Sequence, residues 1–151
     1  MKLYLIRHGE AASNSCEPQL TAKGQTHIQH LAKTLRTNGT NVSQIYHSGK
    51  QRALQTAEIL ASHLQPTPSI AMLEGLSPND LPHSLLPTIQ QWQQPTMLVG
   101  HLPFMTSLTA LLLTGYEDGL AINFEPGTLI CLQKEAQHWV LDWMLGTVFF
   151  S

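Results

Sequence analysis

Leu3-Tyr4-Leu5-Ile6 is an apolar run of the kind a buried strand shows, and it ends abruptly on Arg7-His8-Gly9. A strand buried on both faces belongs to a parallel sheet covered by helices, so the run points to an α/β arrangement. In such a sheet ligands bind at the carboxyl ends of the strands, which puts the charged pair where chemistry is usually done. Gly9 lets the backbone turn sharply there or approach a ligand closely.

The rest of the chain alternates between strand-like and helix-like periods, as βα units do. Thr21 can cap a helix whose apolar positions Ile28, Leu31, Ala32 and Leu35 recur at helical spacing and which ends near Asn38-Gly39. Val42 to His47 reads as a second strand. Ser48-Gly49-Lys50-Gln51 has a capping-box pattern, so a helix is expected from about Gly49 with Ala53, Ala57, Leu60, Ala61 and Leu64 inward, stopped by Pro66 and Pro68. Ser69 to Leu73 is a third strand, and Ser77-Pro78-Asn79-Asp80 is a turn before a helix of about ten residues ending near Trp92. Thr96 to His101 repeats the opening design, an apolar run closing on a glycine and a histidine. A helix follows from Pro103 with Leu108, Leu111 and Leu112 inside it, closed by Gly115. Thr128 to Gln133 and Trp139 to Leu145 read as final strands, a hairpin around Lys134-Glu135-Ala136-Gln137.

With 151 residues, no internal repeat and no linker, residues 1–151 read as a single domain. A net charge of −2 argues against a broad nucleic-acid or anionic-membrane surface, which needs clustered Lys and Arg. Cys16 and Cys131 lie in no CxxC pair, no secretion signal precedes the first strand, and the longest apolar stretches, such as Leu108 to Leu113, are too short for a bilayer. A cytoplasmic protein with reduced thiols is expected. For Val148-Phe149-Phe150, core, dimer contact and frayed tail all stay open.

Three strand ends carry unusual residues: Arg7 and His8, then Ser48 with Arg52 close behind, then Gly100 and His101. The chain has three arginines, and two of them fall here. A guanidinium stays charged and offers a planar fork of donors that matches phosphate oxygens. Arg52 would also stand in the first turn of a helix, where free amides and the helix dipole favour an anion. The residues together describe a small pocket for a strongly anionic group. His27 and His30 lie three apart on a helix without a third ligand and read as surface, as do His63, His83 and His138. His47 sits beside Ser48 at the mouth, within reach of a substrate. Trp139 and Trp143 read as core, and Glu10 as a carboxylate that trims the loop's charge or pairs with a cation.

Leu5-Ile6-Arg7-His8-Gly9-Glu10 with Asn14, Leu20-Thr21 with Gly24, Ser48 with Arg52-Ala53-Leu54-Gln55-Thr56-Ala57, and Gly100-His101 occur in that order. This set resembles the histidine phosphatase superfamily, also called phosphoglycerate-mutase-like. The short length, the compact middle and Val99-Gly100-His101-Leu102-Pro103 are most similar to its SixA-type bacterial phosphohistidine phosphatases. The resemblance implies a three-layer α/β/α sandwich with a mostly parallel central sheet. It implies His8 as the nucleophile that takes the phosphoryl group onto a ring nitrogen, with Arg7, Arg52 and His101 holding the phosphate. Asn14 matches a position that can donate an amide hydrogen bond to phosphate, and Ser48 joins it as a substrate-binding residue. His8 would need its other ring N–H tied to an acceptor, for which a backbone carbonyl is expected. No metal or cofactor is expected, since guanidinium and imidazolium supply the positive charge.

Larger family members carry a general acid after the third strand, and Glu74 matches by position while its surroundings differ; a solvated carboxylate is the other reading, and Asp80 is a weaker candidate. A phosphohistidine leaving group can carry a proton on its own ring, so a weak acid suits a phosphoramidate better than an alkyl ester. The segment between the third and fourth strands is too short for a helical lid beside the helix read there, which leaves a site open to a protein-borne phosphoryl group and disfavours a mutase. The expected partner is therefore a phosphohistidine-bearing signalling or phosphocarrier protein. A small-molecule phosphomonoesterase of the same superfamily and a non-catalytic phosphate-binding module are the alternatives.

Overall fold

The computed structural model describes residues 1–146; the apolar Val148-Phe149-Phe150 lies outside the described residues. Six strands form one mixed sheet in the order β3-β2-β4-β1-β5-β6. They are β1 (Lys2–Arg7), β2 (Gln44–His47), β3 (Ser69–Met72), β4 (Thr96–Gly100), β5 (Leu129–Glu135) and β6 (His138–Leu145). The first four pair in parallel, and β5 and β6 continue the sheet antiparallel from β1.

The alternation of side chains along a strand explains the layers. Tyr4, Ile6, Met97, Val99, Leu129 and Cys131 point to one face, where they meet Ile28, Leu31 and Leu35 of α1 (Ala22–Thr37) and Ala53, Ala57 and Leu60 of α2 (Gln51–His63). Leu3, Leu5, Leu98, Ile130 and Leu132 point to the other, against Leu85, Ile89, Phe104, Met105 and Leu108. That second face is covered by a 3-10 helix (Pro82–Leu85), α3 (Leu86–Gln91) and α4 (Phe104–Thr114). Trp143 packs on the first side and Trp139 on the second. The expected three-layer α/β fold is present.

Thr21 caps α1 as expected, its hydroxyl accepting the Gly24 N–H at 2.9 Å. Glu10 Oε1 accepts the Thr21 hydroxyl at 2.9 Å, so this carboxylate supports the cap rather than pairing with a cation. The capping box at Ser48 is absent. The helix begins two residues later, with Lys50 at its N-cap and no side-chain cap. The amide of Gln51 is met instead by Glu17 Oε1 at 2.8 Å, from the loop after β1. A local pattern lost because a carboxylate distant in sequence satisfies the same orphan donor and the Ser48 hydroxyl has another partner.

The helix expected before Trp92 is split into the 3-10 turn and α3. Pro87 has no N–H to return to His83 and its ring crowds that carbonyl, and Leu86 N–H bonds His83 O in the tighter pattern instead. The second strand starts at Gln44 rather than Val42, and the third is an exposed edge strand. Among the described residues no helix is long and apolar enough to cross a membrane.

Candidate active site

Register brings the three charged strand ends together. Arg7 on β1 pairs with Gly100 on β4, and His47 on β2 pairs with Val99 on the same strand. The residues that follow, His8, His101 and Ser48, therefore emerge side by side at the carboxyl edge. His8 N–H donates to Gly100 O at 3.0 Å, and the rings of His8 and His101 lie 5.0 Å apart.

His8 is nearly buried, and both its ring nitrogens have partners. Nδ1 lies 2.7 Å from Gly9 O, and Arg52 Nε lies 3.3 Å from Nε2. A carbonyl only accepts and a guanidinium only donates, so Nδ1 carries the proton and Nε2 keeps its lone pair. The expected backbone carbonyl is that of Gly9. Burial, with Arg52 and Arg7 nearby, lowers the His8 pKa to about 4 against the smaller opposing effect of the Gly9 bond, and the ring is neutral near pH 7.

His101 is 1% exposed. Its Nε2 is hydrogen-bonded to Ser48 Oγ at 2.5 Å, and its Nδ1 is buried without a partner. Burial first, then the positive charges around it, lower its pKa to about 3. Ser48 Oγ also accepts the Lys50 N–H at 3.4 Å.

Arg7 closes the other wall. One of its terminal nitrogens donates to Phe124 O at 2.9 Å, while its Nε is buried and unpartnered. Burial lowers the guanidinium pKa and Glu125 opposes it. Arg7 Nε, a buried donor without a partner, is unmet demand that an anion's oxygens can satisfy, and the unpartnered His101 Nδ1 adds to it when that nitrogen carries the ring proton.

The remaining sequence candidates stand further out. Asn14 is exposed in the loop after β1, and Glu74 is exposed in the turn after β3. Among the described residues neither makes a hydrogen bond to the group of four. Asp80 Oδ2 accepts the Ser77 N–H at 2.8 Å, a turn-forming role. His47 Nδ1 accepts the Gly49 N–H at 3.0 Å, so that nitrogen serves the local turn. Among the described residues no group of three or more His, Cys, Asp or Glu could hold a metal ion.

Sequence reasoning gave no role to Phe124 or Thr56. Phe124 contributes only a carbonyl, which no side-chain pattern reveals. Thr56 had a signal, a polar residue inside the buried Ala53, Ala57, Leu60 stripe.

Residues 3–78 match the family model of the histidine phosphatase superfamily (branch 1). The chain belongs to the histidine phosphatase superfamily. This histidine phosphatase is 32% identical over 146 residues to an uncharacterized protein of Picosynechococcus sp., covering 90% of this chain and 87% of that one. Its fold matches the protein histidine phosphatase SixA complexed with tungstate, with a TM-score of 0.89, 21% identity and all of both chains covered. It also matches a phosphoserine phosphatase mutant from Entamoeba histolytica in complex with phosphoserine, with a TM-score of 0.71, 18% identity and 97% of each chain covered. At these identities the two structures speak to the fold of this phosphatase.

Proposed function

We propose that this phosphatase moves the phosphoryl group in two steps through His8 and acts on phosphohistidine of a signalling or phosphocarrier protein. The observation that carries the first part is the fixed tautomer of His8: Nδ1 is tied to Gly9 O, and the bare Nε2 faces the Arg52 guanidinium. A nucleophile aimed into a cluster of cations meets an incoming phosphate already oriented.

In the first step Nε2 attacks phosphorus, the N–P bond forms, and the bond to the leaving group breaks. Arg7, Arg52 and His101 bear the negative charge on the equatorial oxygens, which is most of what phosphoryl transfer requires of a protein. A dianionic phosphate beside His101 opposes the effects that keep the ring neutral, so binding favours an imidazolium there. In the second step water attacks phosphorus, the N–P bond breaks, inorganic phosphate keeps the water's protons, and Nε2 recovers its lone pair. Asn14 and Ser48 would add donors at the rim.

The substrate reading rests on the leaving group. An alkoxide needs a proton at the moment it departs, whereas the imidazole of a phosphohistidine carrying its own ring proton leaves neutral. The carboxylates nearest in sequence to the expected position are Glu74, exposed, and Asp80, engaged with its own turn. Glu74 as a general acid would serve a phosphomonoester. A site that relies on its cations alone suits a phosphoramidate borne by a cytoplasmic protein domain.

The test incubates wild type and His8→Ala with a phosphohistidine protein and with an aryl phosphate, following phosphate release and label on His8. Release from the phosphohistidine protein with transient label on His8 is expected. Strong turnover of the aryl phosphate with none on the phosphohistidine protein overturns the substrate; turnover without label, undiminished in His8→Ala, overturns the nucleophile.

A further inference from the structure

Thr56 is fully buried in α2, four residues after Arg52. Packing alone does not require a hydroxyl there, because Ala53, Ala57 and Leu60 share its environment and valine has nearly the same shape. Yet the hydroxyl is used twice. It donates to Arg52 O at 2.8 Å, a back-bond common for threonine in helices. It also accepts the Gly9 N–H at 3.1 Å, a contact across 47 residues of sequence.

These bonds complete a circuit. His8 Nδ1–H donates to Gly9 O at 2.7 Å, Gly9 N–H donates to Thr56 Oγ1, Thr56 Oγ1–H donates to Arg52 O, and Arg52 Nε–H donates to His8 Nε2 at 3.3 Å. Gly9 is the weak member. A Cβ there would come within 2.9 Å of Ile28 Cγ1, so the close packing favours a glycine, the residue most free to rotate its carbonyl. The direction of that carbonyl decides which nitrogen of His8 holds the proton. The next peptide is pinned by Thr21 N–H to Glu10 O at 3.0 Å, and the amide of Gly9 itself is pinned by Thr56.

We infer that Thr56 is a positioning residue, which holds Gly9 so that His8 keeps its proton on Nδ1 and fixes that arrangement to the helical turn bearing Arg52. It acts through Gly9 and Arg52. The inference rests on the reading of His8 as nucleophile for its effect on rate, and on the circuit alone for its effect on the ring.

Thr109 supplies a matched control. It is equally buried and donates to Met105 O at 2.7 Å by the same helical back-bond, on the opposite side of the sheet. The experiment compares Thr56→Val, Thr56→Ser and Thr109→Val with wild type, with Thr56→Ala replacing the valine variant if that one does not fold. The His8 tautomer is read in the free protein from its ring ¹⁵N shifts, and kcat and KM are measured on the phosphohistidine protein and the aryl phosphate.

Thr56→Val is expected to mix the tautomers and lower kcat roughly 10- to 100-fold with KM little changed. Thr56→Ser restores both, and Thr109→Val alters neither. A single Nδ1–H tautomer with wild-type kcat in Thr56→Val overturns the inference, as does a serine variant as impaired as the valine one. Absence of turnover by wild type on both substrates overturns the nucleophile reading instead, and the ¹⁵N spectra still decide whether Thr56 holds the ring.

Discussion

Arg52 Nε lies 3.3 Å from Nε2 of His8, a donor without acceptor capacity facing the one ring nitrogen that has a lone pair to give. The contact makes one cation serve twice, setting the direction of the ring and waiting where charge will develop on phosphate. Lysine has neither the planar fork nor the reach to do both. Arg52→Lys is therefore expected to lower kcat/KM roughly 100-fold or more, with the fold retained by circular dichroism. Steady-state kinetics on the phosphohistidine protein measure it.

The depressed pKa of His8, about 4, sets the acid limit of activity. Because kcat/KM reports the free enzyme and the free substrate, the acid limb that belongs to His8 should fall near pH 4 once the substrate's own phosphate titration is divided out. A limb at 6.5 that remains after that division would contradict a buried, neutral His8.

The same shift couples stability to pH. Between pH 6.5 and 4 the unfolded chain holds a proton on this histidine and the folded protein does not, so protons favour unfolding. The folded state is then most favoured above 6.5 and loses stability as the pH falls through that window. His101, lowered to about 3, adds in the same direction. Urea midpoints at about pH 7 and about pH 5 should differ more for wild type than for His8→Asn or His101→Asn.

Ser48→Ala removes the partner of His101 Nε2 in a position with little access to water. Leaving a buried polar group unpaired costs about 1–3 kcal/mol. Denaturant unfolding should show that loss, and kcat/KM should fall with it because His101 is freed to turn.

Gly24→Ala tests the junction between α1 and the loop after His8. Alanine in place of glycine within a helix ordinarily stabilises by about 1 kcal/mol. Here the added Cβ would overlap the carbonyl oxygen of Glu10, a backbone atom that cannot move aside as a side chain would. The expected result is destabilisation, read as a lower thermal midpoint.

The continuous apolar runs of β1 and β4 and the stripe on α1 were legible because a strand covered on both faces is apolar throughout, while a helix buried on one face repeats with its turn. The strand ends carrying Arg7, His8, Ser48 and His101 were legible for a related reason: charged residues that close an apolar run stand out. The cap on α2 was misread at Ser48 because the local pattern cannot reveal that Glu17 reaches the same amide or that His101 claims the serine. Pro87, which divides the helix before Trp92, is plain in the sequence, and its missing N–H is the physical reason for the break.

Periodicity alone carries the alternation of strands and helices, and the ordered motifs carry the family, its layers and the four polar residues that gather at one edge. The tautomer of His8, the orphaned nitrogens of Arg7 and His101, and the circuit through Thr56 exist only once the chain is folded. Those depend on backbone carbonyls and amides of Gly9, Arg52 and Phe124, groups every residue carries and no sequence distinguishes until strand register and helix packing bring them within hydrogen-bond reach.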